Sequence, residues 1–127
     1  MDRNIVKTNN APEAIGPYSQ GIKSSGFIFT SGQIPLNPKT GLLIKGDFKS
    51  ETIQVLNNLD EILKDGGSSI ELAIKLTVYL VEISDFPLLN EIFDKYFTDN
   101  PPARTTIQVA ALPMNARIEI DANGLIN

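Results

Sequence analysis

Residues 101–122, with the sequence PPARTTIQVAALPMNARIEIDA, decide the fold of this chain. Side chains alternate between the two faces of a strand, and two strands are predicted here, at about Ala103 to Ala110 and about Ala116 to Ala122. Pro113 marks the turn region between them. The second strand has one apolar and one charged face, formed by Ala116, Ile118, Ile120 and Ala122, and by Arg117, Glu119 and Asp121. This division predicts a sheet whose apolar face packs against helices.

Two helices are predicted before this stretch. Asp47 is the expected N-cap of the first helix, which ends at Gly66-Gly67. Ser84 or Asp85 caps the second, which stops before Pro101-Pro102. Apolar residues recur at helical spacing in both: Val55, Leu56, Leu59, Ile62 and Leu63 in the first, and Phe86, Leu89, Phe93, Tyr96 and Phe97 in the second.

Four more strands complete the predicted sheet. They are Arg3 to Lys7, Gly21 to Ser25, Phe27 to Gln33 and Ile74 to Leu80, with Gly26 as a hairpin turn. The order β-β-β-α-β-α-β-β predicts an α+β fold, a single domain over residues 1–127 with a six-stranded mixed sheet and both helices on one face. Apolar side chains on the other face, such as Phe27 and Phe29, predict an oligomer, unless loops cover that face.

Composition excludes several classes of function. The chain of 127 residues has neither cysteine nor histidine, so it has no disulfide, no thiolate nucleophile, no Cys/His zinc site and no imidazole acid or base. Its net charge of −4 disfavours nucleic acid and anionic membranes as partners. The polar segment Met1 to Asn10 does not resemble a signal peptide, and the apolar run Ala73 to Val81 is too short to span a bilayer. We expect a soluble, cytoplasmic protein.

Two charged residues of the last two strands are candidates for chemistry. Arg104 and Glu119 are both expected to point away from the helix layer, towards the presumed oligomer face. A guanidinium on a rigid strand is suited to bidentate binding of a carboxylate or phosphate, and a surface salt bridge is the alternative. Glu119 could act as a general base or orient a water molecule, and an ion pair with Arg117 or a lysine is the alternative.

Weaker signals come from a strand end, a loop and a helix. Gly32 follows Ser31 at the end of a strand, where a glycine can let the backbone approach a ligand, although a bulge or turn is commoner. Tyr18 places a hydroxyl on a loop, although tyrosines in loops more often pack. Asn90 could face either the strands or solvent.

Three blocks of this sequence resemble the Rid family, the reactive-intermediate (imine) deaminases, also called YjgF-like proteins. The first block is residues 10–21 (NAPEAIGPYSQG), and the second is residues 30–35 (TSGQIP) with 37–41 (NPKTG). The third, which is the most specific, is Pro102-Ala103-Arg104 followed by Leu112-Pro113 and residues 118–122 (IEIDA). The resemblance covers nearly the whole chain, and it implies a chorismate-mutase-like α+β domain in a homotrimer with small-molecule clefts between subunits.

The resemblance also implies an activity. Proteins of this family hydrolyse 2-imino acids, or enamine tautomers such as 2-aminoacrylate, to 2-oxo acids and ammonium, without a metal or organic cofactor. Arg104 matches the arginine that binds the substrate carboxylate, and Glu119 matches the carboxylate that positions the attacking water. The positions that line the cleft correspond to Tyr18, Ser31, Gly32, Asn90 and Thr106. Thr106 is a departure, because many relatives have cysteine at this position.

Two other functions remain open from the sequence. The same arginine would serve a non-catalytic module that binds or senses a small carboxylate or 2-oxo acid. A ribonuclease or translation inhibitor, a label attached to some relatives, ranks last, because the chain has no histidine and a net charge of −4.

Overall fold

The protein is described by a computed structural model of residues 2–127. Its strands are β1 (Asn4–Val6), β2 (Gly21–Ser24), β3 (Phe27–Thr30), β4 (Ala73–Leu80), β5 (Ala103–Gln108) and β6 (Ile118–Leu125), and its helices are α1 (Phe48–Asp65) and α2 (Phe86–Tyr96). Three short 3₁₀ turns, Ile70–Leu72, Ile83–Asp85 and Pro113–Asn115, connect these elements. The predicted order of strands and helices is confirmed.

The two helices begin in different ways. The Asp47 carboxylate accepts a hydrogen bond from the Ser50 backbone N–H at 2.8 Å, which confirms it as the N-cap of α1. At α2, Asp85 occupies the N-cap position but makes no side-chain capping bond. Its backbone is already helical, whereas a capping side chain needs an extended backbone, so α2 continues directly from the preceding 3₁₀ turn.

The sheet has the order β1-β2-β3-β6-β4-β5. All neighbours are antiparallel except β4 and β5, which are parallel and joined through α2, as a parallel pair requires a crossover. β6 is central and extends to Leu125, beyond the predicted end, because its last residues pair with β3. β6 and β5 therefore lie on opposite sides of β4, so residues on these two strands are separated by the width of β4.

One face of the sheet and the two helices enclose the core. Its fully buried members include Ile28, Leu76, Val78, Leu80, Ile118 and Ile120 from the strands and Val55, Leu56, Leu59, Ile62, Leu63 and Leu89 from the helices. Both helices thus lie on the same face, as predicted. Within residues 2–127, neither helix is long and apolar enough to cross a bilayer.

The opposite face of the sheet is uncovered by the described part of the chain. Phe27, Phe29, Ile107 and Leu125 are 36%, 45%, 42% and 43% exposed, and Phe29 lies across from Ile22 on the neighbouring strand. The alternative that loops cover this face is therefore wrong. We call this surface, carried by Phe27, Phe29, Ile107 and Leu125, the open face.

Candidate active site

Arg104 lies on the helix side of the sheet. The parallel register places Arg104 beside Leu76 and Thr106 beside Val78, and both of these β4 residues are buried under the helices. Residues paired across neighbouring strands share a face. The prediction that Arg104 points away from the helices is therefore wrong. At this edge of the sheet the Phe86 and Phe93 rings of α2 pack over the arginine side chain, so the helix side of β5 is covered without an aliphatic residue.

Three residues of α2 surround the Arg104 guanidinium. Its central carbon lies over the ring of Phe86, 5.4 Å from the centroid, and over the ring of Phe93, 5.1 Å from the centroid. Its Nη2 donates a hydrogen bond of 2.6 Å to the Asn90 side-chain oxygen. Burial lowers the pKa of Arg104 from its ordinary value. Asn90 therefore faces the strands, which settles the question that the sequence left open.

An open groove of about 430 Å³ runs beside this arginine. Its walls are formed by α2 and the segment before β5: Asn90, Phe93, Asp94, Phe97, Pro101, Pro102 and Arg104. Thr106 lies two residues along the same face of β5, and its buried hydroxyl oxygen has no hydrogen-bond partner among the described residues. We call Asn90, Arg104 and Thr106 the arginine half-site.

Glu119 lies on the other face of the sheet, since its neighbours Ile118 and Ile120 are buried in the core. The backbones of Gln33 and Ile120 exchange hydrogen bonds of 2.9 and 3.1 Å, which draws Gly32 against Glu119. A Cβ at position 32 would lie 2.5 Å from Glu119 Oε2, so only glycine leaves room for the carboxylate. The close backbone approach expected of Gly32 is thus present, and it is made to Glu119.

A small cavity of about 80 Å³ opens beside this carboxylate. Tyr18, Gly32 and Glu119 line it, together with the apolar residues Pro12, Ala14, Ile15, Ile34, Leu36 and Pro113 and the polar residues Glu13, Gln20 and Gln33. We call Tyr18, Gly32 and Glu119 the glutamate half-site. The Tyr18 hydroxyl accepts a hydrogen bond from the Ile15 backbone N–H at 3.2 Å, which leaves the hydroxyl proton available to a ligand.

Ser31 stands beside this cavity and is not part of its wall. Its hydroxyl donates to the Ser19 carbonyl at 2.5 Å, and its backbone N–H donates to the Gln20 carbonyl at 2.8 Å. These two bonds fasten the end of β3 to the loop that carries Tyr18. The structure thus gives Ser31 a bracing contact and leaves its predicted substrate contact untested.

Sequence reasoning missed Gln20, which holds the loop between β1 and β2. Its side chain is only 4% exposed. The side-chain oxygen accepts from the Thr8 N–H at 2.7 Å, and the nitrogen donates to the Thr8, Ala11 and Pro12 carbonyls at 3.0, 3.4 and 2.8 Å. A polar residue between two turn formers gives no periodic signal, so only the folded loop reveals this role.

The electrostatics of Glu119 depend on two neighbours. Burial raises the pKa of Glu119, and the charge of Asp121 raises it further. Asp121 accepts a hydrogen bond from the Tyr79 hydroxyl at 3.1 Å, and Tyr79 is the residue opposite Glu119 on β4. Burial also raises the pKa of Asp121. The alternation of charges along β6 already placed Asp121 on the face of Glu119, but Tyr79 was missed.

Neither candidate charge is neutralised within residues 2–127. The two ion pairs found there are Lys64 with Asp60 and Arg117 with Glu51. Arg117, the expected alternative partner of Glu119, is therefore occupied elsewhere. A half-buried charge without an oppositely charged partner raises the free energy of the protein. A polar or charged ligand could compensate the charges of Arg104 and Glu119, which form no ion pair with the described residues. In the same part of the chain, no three His, Cys, Asp or Glu side chains are grouped to hold a metal ion.

The two half-sites do not meet within one chain. They lie on opposite faces, on strands separated by β4, which is about 10 Å at the usual strand spacing. Their two cavities share no lining residue. The cavity at Glu119 is also well below the roughly 300 Å³ of a typical closed ligand pocket. Arg104 and Glu119 of one chain therefore do not face a common cavity.

Comparison with known proteins agrees with the fold and with the sequence blocks. Residues 8–126 match the family model described as "Endoribonuclease L-PSP". A RutC family protein from Pyrococcus horikoshii is 48% identical over 120 residues, covering 94% of this chain and 95% of that protein. A human protein named 2-iminobutanoate/2-iminopropanoate deaminase is 47% identical over 120 residues, covering 94% of this chain and 88% of that protein.

A solved structure extends the agreement to three dimensions. The crystal structure of E. coli TdcF with bound serine matches with a TM-score of 0.91 at 36% identity, covering 98% of this chain and 99% of that one. The chorismate-mutase-like α+β fold expected from the sequence blocks is confirmed. The chain is a member of the Rid, or YjgF-like, family.

Proposed function

We propose that this protein hydrolyses 2-imino acids, and enamine tautomers such as 2-aminoacrylate, to 2-oxo acids and ammonium. The observation that carries the proposal is the pair of uncompensated charges, the Arg104 cation and the Glu119 carboxylate, each held in a cavity. Relatives of similar length are named for this activity, including the human deaminase at 47% identity. The cytoplasm, expected from the composition, is the proposed place of action.

The proposed active form is a homotrimer with its clefts between subunits. The open face supports association, since exposed apolar surface of this kind is typical of protein interfaces. The separation of the half-sites supports a shared cleft, in which one copy supplies Arg104, Asn90 and Thr106 and the next supplies Tyr18, Gly32 and Glu119. The ligand is then a molecule small enough to lie between two opposed side chains.

In the proposed mechanism, Arg104 binds the carboxylate of the imino acid through charge-assisted hydrogen bonds. The imine carbon is electrophilic, above all when its nitrogen is protonated. Glu119 orients a water molecule and takes one of its protons as the oxygen bonds to that carbon. Glu119 then gives this proton to the nitrogen. As the C–N bond breaks and the C=O bond forms, the hydroxyl proton passes through Glu119 to the departing ammonia, and ammonium and the 2-oxo acid leave. An enamine must first be protonated on carbon to form the imine.

The raised pKa of Glu119 supports a role in taking up and releasing a proton during hydrolysis. A carboxyl group whose pKa is raised by burial holds a proton more readily than an ordinary glutamate, so it can both accept the proton from water and return it. The Tyr18 hydroxyl, which still has its proton to donate, can stabilise the oxygen that forms at the attacked carbon. Thr106 supplies a hydroxyl where many relatives have a thiol.

The proposal is tested by an assay in which an amino-acid oxidase generates the imino acid and semicarbazide competes for it. Wild-type protein should accelerate formation of the 2-oxo acid and reduce the semicarbazone. Arg104→Ala should lose about 10-fold or more of kcat/KM, since hydrogen bonds to charged groups contribute roughly 1.5–3 kcal/mol. Arg3→Ala is the matched control and should keep full activity, because Arg3 is exposed and lines neither of the two cavities.

A wild-type protein that accelerates no imine hydrolysis across several amino acids would contradict the proposal. Binding of 2-oxobutyrate in that case would favour the non-catalytic carboxylate-binding module. Full activity in Arg104→Ala would show that another group anchors the substrate.

A further inference from the structure

Three residues on one face of α2 contact the arginine. Phe86, Asn90 and Phe93 are spaced at i, i+4 and i+7, so they lie one above the other along the helix. Phe86 and Phe93 present their rings to the guanidinium, and Asn90 accepts from its Nη2. The polar member of this stripe thus has aromatic neighbours one turn away on each side.

Rings and an amide position a cation without neutralising it. A guanidinium within about 6 Å of a ring centroid is attracted by the ring quadrupole, yet it keeps its full charge for an anion. A carboxylate neighbour would hold the side chain as firmly but would compete with the ligand. The arginine side chain otherwise loses rotamer entropy when it binds a ligand. The stripe on α2 reduces that loss before the ligand arrives.

We propose that Phe86 is a positioning residue for the substrate carboxylate, acting with Phe93 and Asn90 to hold the Arg104 guanidinium in its binding orientation. This inference rests on the proposed function in one respect, that the ligand of Arg104 is a carboxylate. Phe93 is also part of the main core and is only 8% exposed, whereas Phe86 is half-buried at the first residue of α2. Phe86 is therefore the residue at which positioning can be separated from folding.

The effect of losing the ring should appear in binding. The carboxylate is held in the ground state and in the transition state alike, so weaker anchoring raises KM and leaves kcat nearly unchanged. A cation–π contact at a partly buried site contributes roughly 1–2 kcal/mol, which corresponds to an increase of about 5- to 30-fold in KM. The dissociation constant of a 2-oxo acid product should rise by the same factor.

The experiment compares three variants of the full chain. Phe86→Leu removes the ring but keeps an apolar side chain, Phe86→Tyr keeps the ring, and Leu88→Ala removes the same number of carbon atoms elsewhere on α2. Calorimetric titration with 2-oxobutyrate measures binding without turnover, and the imine assay gives KM and kcat. Phe86→Leu should weaken binding and raise KM, while Phe86→Tyr and Leu88→Ala should stay within about twofold of wild type.

The outcomes separate positioning from a structural role. Unchanged 2-oxobutyrate affinity in Phe86→Leu, with or without a lower melting temperature, would overturn the inference. Equal weakening by Phe86→Leu and Phe86→Tyr would overturn it too, because the ring would not be what matters. If wild type binds 2-oxobutyrate with the expected pattern but hydrolyses no imine, the proposed function fails and the positioning role stands. Neither binding nor turnover in wild type would overturn both.

Discussion

Gly32 has no side chain, and this leaves space for the carboxylate of Glu119. A Cβ there would lie 2.5 Å from Oε2, 2.8 Å from Cδ and 3.1 Å from Cγ of Glu119. The backbone of Gly32 does not have a positive φ, so the left-handed region does not exclude alanine there, and the three atoms nearest to an added Cβ all belong to the Glu119 side chain. Glycine at position 32 is therefore required by the position of the Glu119 side chain, and not by the backbone conformation at Gly32.

We predict that Gly32→Ala lowers kcat by about 100-fold, because a misplacement near 1 Å of a reacting group can cost that much. The 2-oxobutyrate affinity should change less than kcat, since Arg104 lies in the other half-site. Steady-state kinetics and titration of the same preparation check this. Wild-type kcat in Gly32→Ala would contradict a catalytic role that depends on the position of the Glu119 carboxylate against Gly32.

Asp121 should affect how activity depends on pH, because its charge contributes to the raised pKa of Glu119. Glu119 must be ionised to take a proton from water, so activity falls as the pH drops through its raised pKa. Because the Asp121 charge contributes to that raised pKa, Asp121→Asn should lower the pKa of Glu119. The acid limb of kcat/KM then moves to lower pH. A limb that stays in place or moves to higher pH would contradict this account of Glu119.

At the scale of elements, the loop between β1 and β2 depends on one side chain. Gln20 supplies hydrogen bonds to Thr8, Ala11 and Pro12, which a loop of this length cannot find in regular pairing. Gln20→Met has a similar shape and leaves these backbone groups unpaired. We predict a loss of about 2–4 kcal/mol in the free energy of unfolding, at roughly 1–3 kcal/mol for each buried group left unsatisfied.

Denaturant unfolding measures this loss. Gln108→Met is the matched control, because the exposed Gln108 side chain makes a single hydrogen bond, accepting from the Ile83 backbone N–H at 3.1 Å. The control should cost less than about 1 kcal/mol. Equal stability of Gln20→Met and wild type would show that the loop is held by other contacts.

The elements also show where sequence patterns succeed and where they fail. β6 alternates between aliphatic and charged residues, so its faces follow from the sequence alone. β5 has Ala103, Thr105 and Ile107 on one side, and on the other it has Arg104, Thr106 and Gln108, so the contrast between its two sides is weaker. Its orientation is set by pairing with β4, a contact between residues far apart in the chain. The face of Arg104 could therefore be obtained only from the folded sheet.

At the scale of the whole molecule, the order of elements, the mixed sheet and the bare apolar face all follow from local patterns. The site does not, because its two half-sites lie on opposite faces of the sheet. The resemblance pairs Arg104 with Glu119 in one cleft, and no alternation rule could show that they lie apart in a single chain. The exposed Phe27 and Phe29 predict an oligomer from the sequence, but the pattern does not show which copy of the chain supplies each residue of the proposed cleft.

The proposed cleft between subunits is tested by mixing two variants, each of which is impaired in one half-site. Arg104→Ala keeps Glu119 and Glu119→Gln keeps Arg104, so a cleft that takes Arg104 from the Glu119→Gln copy and Glu119 from the Arg104→Ala copy contains both wild-type groups. Unfolding the two proteins together in equal amounts and refolding them should restore about a quarter of the wild-type imine deaminase activity, as random mixing around a ring predicts. Each variant refolded alone should stay at about a tenth of the wild-type activity or below. No recovery in mixed oligomers, confirmed as mixed by mass spectrometry, would contradict a cleft built from Arg104 of one subunit and Glu119 of the next.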